Sequence, residues 1–111
     1  MTFSAHNMLD ALGDPTRRLV FERLHRGPLP VKAIAAGLPI SRPAVSQHLR
    51  VLKEAGLVLD RAAGIRRYYQ ANPAAQHVLR AYFDRFWDRV LSQFQLAAER
   101  EARRLAKKGS A

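Results

Sequence analysis

No cysteine occurs in this sequence. Disulfides, thiol redox switches and thiolate metal sites are thereby excluded. Long apolar runs are missing too: nothing approaches the roughly 20 consecutive apolar residues of a membrane span. Met1–Asp10 carries no signal-peptide pattern, so the expected setting is the cytoplasm, with no membrane partner. Acidic residues are few, 9 against 19 Lys+Arg, for a formal charge of +10 over 111 residues. Such an excess favours polyanionic partners. The shortage of acid is also local. No Asp or Glu lies between Glu22 and Glu54, an interval that holds Arg23, Arg26, Lys32, Arg42, Arg50 and Lys53. A Gly-rich phosphate loop, a nucleophile–base constellation and paired inward carboxylates are all absent, so an enzyme is not expected. The histidines (His6, His25, His48 and His77) are scattered. Metal ligands cluster in space and spacing, so no metal and no cofactor is expected.

What is present is organised around Ser41–Gly56. Ser41 suits an N-cap and Pro43 the first helical turn, where a missing N–H costs nothing. Gly56 can take the left-handed conformation that ends helices. Between them Val45, Leu49 and Leu52 recur at i, i+4 and i+7, one apolar stripe. Arg42, Pro43, Ser46, Gln47, Arg50 and Lys53 are left facing outward. Most of these can donate hydrogen bonds and none is acidic. A helix so built suits the DNA major groove, where Arg pairs with guanine and Gln with adenine. An ordinary amphipathic surface helix is the plainer alternative.

The length fits one small domain, 1–111, whose core is limited unless a partner completes it. A short N-terminal helix is expected over 1–12, with Met8, Leu9 and Leu12 at helical spacing. Asp14-Pro15 starts a second helix, with Val20, Phe21 and Leu24 inward and Arg17 and Arg18 outward. A short third helix, Val31–Gly37, carries Ile34 inward. With the Ser41 helix it has the proportions of a helix-turn-helix over 30–56. Pro39 sits in the turn, where a positive φ would be convenient and Pro cannot supply it, so Gly37 is expected to do so.

Beyond Gly56 the period changes. Leu57–Ala62 and Ile65–Ala71 read as two strands joined by an Ala63-Gly64 turn, a hairpin over 57–71. Arg61, Arg66 and Arg67 cluster near its tip, placed to follow a phosphate backbone or enter a minor groove. Solvated charge guarding an edge strand is the alternative. Asn72-Pro73 then starts a helix that runs without a breaker over 74–107. Its apolar arc is wider than one core needs. A homodimer seam is the expected use, formed by Leu79, Tyr82, Phe83, Phe86, Trp87, Val90 and Phe94 together with Met8 and Leu9 of the N-terminal helix. A basic tail follows Glu99, and Gly109–Ala111 is expected to be disordered.

In this order the segments Ala11–Arg18, Ser41–Val58, Gly64–Tyr69 and Arg85–Asp88 resemble the ArsR (ArsR/SmtB) family of winged helix-turn-helix transcriptional regulators. The resemblance covers roughly Ala11 to Leu96. It implies a mainly α fold with a two-stranded hairpin as wing and a long C-terminal dimerisation helix. It also implies a homodimer that binds a double-stranded DNA operator and represses transcription. Recognition positions carry over to Ser41, Arg42, Pro43, Ser46, Gln47 and Arg50, and wing positions to Arg61, Arg66 and Arg67. Many family members sense metals through a Cys motif before the recognition helix; here Val31–Gly37 has none. Others use Asp and His pairs on the C-terminal helix, where this chain offers only His77, Asp84 and Asp88. The resemblance is therefore to the metal-independent branch, with an effector, if any, that the residues do not identify. Pro30 also departs from the Ser or Thr that the family usually has there. The competing reading is a non-specific or architectural nucleic-acid binder driven by charge alone. It lacks a use for the directional donors Ser46, Gln47 and Arg50.

Overall fold

The computed structural model describes residues 3–109. Its elements run α1 (Ala5–Gly13), α2 (Pro15–Glu22), β1 (Leu29–Pro30), α3 (Val31–Ala36), α4 (Arg42–Glu54), β2 (Val58–Ala63), β3 (Arg66–Ala71) and α5 (Pro73–Gly109). The chain divides into two compact units, one through Leu79 and one from Arg80.

The helix starts of the first unit follow from single side chains. Ser4 Oγ accepts the Asn7 N–H at 3.1 Å and opens α1. The expected helix over 1–12 thus begins at Ala5, and Met1 and Thr2 lie outside the described residues. Asp14 Oδ1 accepts the N–H groups of Thr16 and Arg17 at 2.9 and 3.1 Å, and Pro15 follows at the first helical position. That bond to Arg17 is the main reason the Asp14 carboxyl ionises below the usual carboxylate range. Arg17 does not simply face outward. Its guanidinium donates to the Ala11 carbonyl at 3.2 Å, while Arg18 Nε donates to that of Leu12 at 2.9 Å. Two cations of α2 thereby satisfy the last carbonyls of α1, the end that favours positive charge.

The core lies among these helices. Met8, Val20, Leu24, Ile34, Val45, Leu49, Leu52, Leu57, Val58 and Ala75 are all buried in one cluster. Met8 was expected on the pairing face; it is fully buried in its own protomer and has no surface left to give. Leu79 and Val78 are half-buried and pack against the same cluster.

The sheet has three strands, not two, in the order β1-β3-β2. Leu29 pairs with Tyr69 and Pro30 with Tyr68, antiparallel. Pro is tolerated on such an edge because no ladder N–H is asked of it. Pro30 also precedes α3 in an extended conformation (φ −77°, ψ 161°) without a side-chain cap, so the sheet edge stands where a Ser or Thr cap would. The hairpin turn falls one residue later than expected, at Gly64-Ile65, with Ala63 opposite Arg66. Gly64 has φ 64°, the conformation for which the first position of a type II′ turn selects Gly. Gly56 has φ 83° as anticipated, and the Phe3 ring occupies the place a side chain there would need. Gly37, by contrast, has φ −96°. Its lack of a side chain serves Arg23, whose guanidinium carbon lies 2.6 Å from where a Cβ would be. The bend before α4 needs no positive φ at all.

From Arg80 the second unit is one continuation of helix α5, which totals 37 residues, about 55 Å at 1.5 Å per residue. Gly109 is its last described residue, within the helix, and Ser110 and Ala111 lie outside the described residues. No described residue of this unit is buried. Tyr82, Phe83, Phe86 and Trp87 touch one another along the helix, with Tyr82 and Phe86 stacked at 6.2 Å and Phe86 edge-on to Trp87 at 5.3 Å. Trp87 is nevertheless 50% exposed and Phe94 64%.

Candidate nucleic-acid interface

Helix α4 presents the strongest candidate surface. Val45, Leu49 and Leu52 anchor it, each with no exposure. Ser41 Oγ accepts the Ala44 N–H at 3.3 Å, which fixes the first turn. The opposite face is open. Arg42, Pro43, Ser46, Gln47 and Arg50 are all exposed, as is Ser41. Arg50 lies 3.6 Å from Glu54, one helical turn on, with both side chains largely in solvent. Such a pair is weak and releases its Arg readily. His48 is half-buried beside this face, its Nδ1 shut off from solvent and without a partner.

The approach of α3 to α4 is set from α2. Arg23 Nη2 donates to the Ala33 carbonyl at 3.0 Å, and its guanidinium passes over Gly37. A single Arg thus holds α3 at the angle from which the chain turns through Leu38 and Ile40 into α4. Nothing in the spacing of the sequence identified this role.

The hairpin divides its arginines between two faces. Arg61 stands opposite Tyr68, and its guanidinium lies 5.9 Å from that ring. Arg66 stands opposite Ala63. Pleating puts Arg61, Arg66 and Tyr68 on one face. Arg67 falls on the other and does not join the cluster expected at the tip. Its Nη1 donates to Asp60 Oδ2 at 2.8 Å. Lys53, from the last turn of α4, lies 2.8 Å from Asp60 Oδ1. The Lys53 ammonium first, and Arg67 after it, hold the Asp60 carboxyl below the usual carboxylate range. Ile65 at the turn is fully exposed.

One further residue ties the hairpin down. Asn72 Nδ2 donates to the Gly56 carbonyl at 2.8 Å, and its N–H donates to Leu57 at 2.9 Å. Its Oδ1 accepts the Ala74 N–H at 3.0 Å and opens α5. The sequence marked Asn72 only as a helix start; the cross-link to the end of α4 comes from tertiary structure. Among the described residues, no three His, Cys, Asp or Glu side chains converge on a point. No helix among them is long and apolar enough to cross a membrane.

Residues 12–61 match the family model of a helix-turn-helix domain. The chain is 57% identical over 84 residues to the HTH-type transcriptional regulator Rv2034 of Mycobacterium tuberculosis, covering 76% of this chain and 78% of that one. It is 37% identical over 67 residues to the transcriptional repressor SdpR of Bacillus subtilis, covering 60% and 74%. Among solved structures it is similar to Mb0332 from Mycobacterium bovis, described as a homodimeric winged helix-turn-helix DNA-binding domain of a possible ArsR-family regulator. The TM-score is 0.60 at 27% identity, covering 82% of this chain and 80% of that one.

Proposed function

The chain belongs to the ArsR family of winged helix-turn-helix transcriptional regulators, and from that membership we propose that it is a homodimeric repressor reading an inverted-repeat operator. It is a regulator and not an enzyme. The observation that carries the reading is the outward face of α4. Gln47 and Arg50 stand there exposed, Arg50 only weakly held by Glu54, on a helix whose other face is locked into the core. Those two contact base edges, and Arg42 and Ser46 complete the set that enters the major groove. Ser41 and Pro43 bring the start of the helix against the backbone, where helix N-termini favour phosphate. Arg61 and Arg66 reach the backbone or the minor groove from the wing. Arg67 stands apart from these because of its bond to Asp60.

Dimerisation supplies the second half of the site. Leu9, Leu79, Tyr82, Phe83, Phe86, Trp87, Val90 and Phe94 form the pairing face in this reading. The support is the run of exposed aromatics on α5, a surface that monomers seldom leave in water. The relatives' roles as transcriptional regulator and repressor favour this over a binder driven by charge alone. The site of action is the cytoplasm, where the operator is. Gel shifts of Gln47→Ala on a panel of operator variants test base reading. Loss of discrimination at one position is the expected result; equal losses on every sequence would reject it.

A further inference from the structure

Asp60 is the only acidic residue between Glu54 and Asp84, and its two oxygens each hold a cation at 2.8 Å. Its side chain is 10% exposed, while the Lys53 and Arg67 side chains that grip its two oxygens are 53% and 54% exposed. The acid is therefore inside and the cations outside. Lys53 belongs to the recognition helix and Arg67 to the wing, the two elements that meet DNA in the proposed function. We infer that Asp60 is a positioning residue that limits the electrostatic affinity for DNA: its carboxylate withholds Lys53 and Arg67 from sequence-independent phosphate contact and joins the wing to the recognition helix.

The inference rests on the DNA-reading role assigned to α4. Sequence-independent affinity grows with the number of cations that neutralise phosphates, each contact adding about 0.9 to the salt slope. Base contacts by Gln47 and Arg50 do not depend on that count. An acid that removes two cations therefore lowers the affinity for every duplex and leaves base discrimination in place. The ratio of specific to non-specific binding stays the same, while the hold on every duplex is loosened. Exchange of Asp60 for a phosphate is opposed by the two charge-assisted contacts at 2.8 Å that it would break.

The test uses the full chain, an operator selected from random DNA, and a scrambled duplex of the same length. Affinities are measured by fluorescence anisotropy over a salt series. Asp60→Asn should bind the scrambled duplex more tightly, with a slope steeper by one to about two units per protomer. Operator and scrambled duplex should gain in the same proportion, so that the preference for the operator is unchanged. Asp60→Glu, which keeps the charge, should restore much of the native affinity and slope. In the native background Lys53→Gln and Arg67→Gln should leave the slope on the scrambled duplex unchanged; combined with Asp60→Asn, each should lower it by about one unit. A purely structural Asp60 would instead lower the melting temperature and weaken binding to both duplexes at an unchanged slope, and that result overturns the inference. So does a slope reduced by Lys53→Gln or Arg67→Gln alone, a measurement independent of how well Asp60→Asn folds. Failure of the native protein to prefer any duplex would reject the reading of α4 itself.

Discussion

Up to Leu79 the chain hides most of its large apolar residues in its own core; from Arg80 onward no described residue is buried. The first unit spaces its apolar residues as separate stripes on short helices, each of which finds a neighbour within the same unit. Val45, Leu49 and Leu52 are one such stripe, and they meet Met8, Val20 and Ile34. The second unit has a single helix and nowhere to fold its aromatics. Tyr82, Phe83, Phe86 and Trp87 lean on one another along the helix. The same kinds of residue thus do opposite work. One set makes a fold, and in the proposed dimer the other meets a second molecule.

Substitutions on the two sides should separate these roles, and the largest effect belongs to the core. Leu49→Ala should destabilise the fold by roughly 2–5 kcal/mol, measured by urea denaturation, because α4 cannot collapse around the lost side chain. A loss under half a kcal/mol would mean that the stripe does not anchor the helix. Next comes the pairing face. Phe86→Gln with Trp87→Gln should convert dimer to monomer in sedimentation while amide exchange in α2 and α4 stays protected. An unchanged, stable dimer would remove the distinction between the two units.

The contrast was legible in the sequence as period. A stripe at i, i+4, i+7 on a short helix predicts burial, and an arc that wraps half of a long helix predicts cover from elsewhere. Caps were equally readable, because Asp14-Pro15 and Ser41 act on N–H groups two or three residues away. What escaped was long in range. Leu29–Pro30 is too short to show alternation, and it becomes a strand only because β3 lies beside it. Met8 has the spacing of a pairing residue, and only the closure of the other helices puts it inside. Gly37 looked like a conformational device, and its function is to let Arg23 pass. Arg67 is adjacent to Arg66 in sequence, yet the pleat turns it to the other face and an acid seven residues away takes it.

Smaller effects sharpen the comparison within the reading surface. Gln47→Ala should cost about 1–3 kcal/mol of operator affinity without altering fold stability, measured by anisotropy and by denaturation on the same preparation. Ser41→Ala should cost about 1 kcal/mol of stability by removing the cap of α4. A cap loss confined to DNA binding would show that Ser41 works chiefly at phosphate.

The smallest effect is that of acid. Asp60 ionises below the usual carboxylate value, ~3.9 in unfolded chains. Its bridge to Lys53 and Arg67 therefore contributes fully above about pH 4 and is lost as pH falls through the depressed folded value. Asp60→Asn lacks that contribution at every pH, so urea stabilities of the two proteins should differ at pH 7 and converge toward pH 3. Asp14, whose carboxyl is also depressed, remains in both and cancels from the difference. A gap that persists unchanged at pH 3 would place the stabilisation elsewhere.

The claim that joins the two units is that α5 pairs so that two copies of α4 read one face of DNA. The direct measurement starts with an operator selected from random DNA, into whose centre about five or about ten base pairs are inserted. The account predicts an inverted repeat with half-site centres about 10–11 base pairs apart, or a small multiple of that. The half-turn insertion should then lose far more affinity than the full-turn one, because it moves one half-site to the far side of the duplex. A selected site without inverted symmetry, or equal affinity for both insertions, would contradict it.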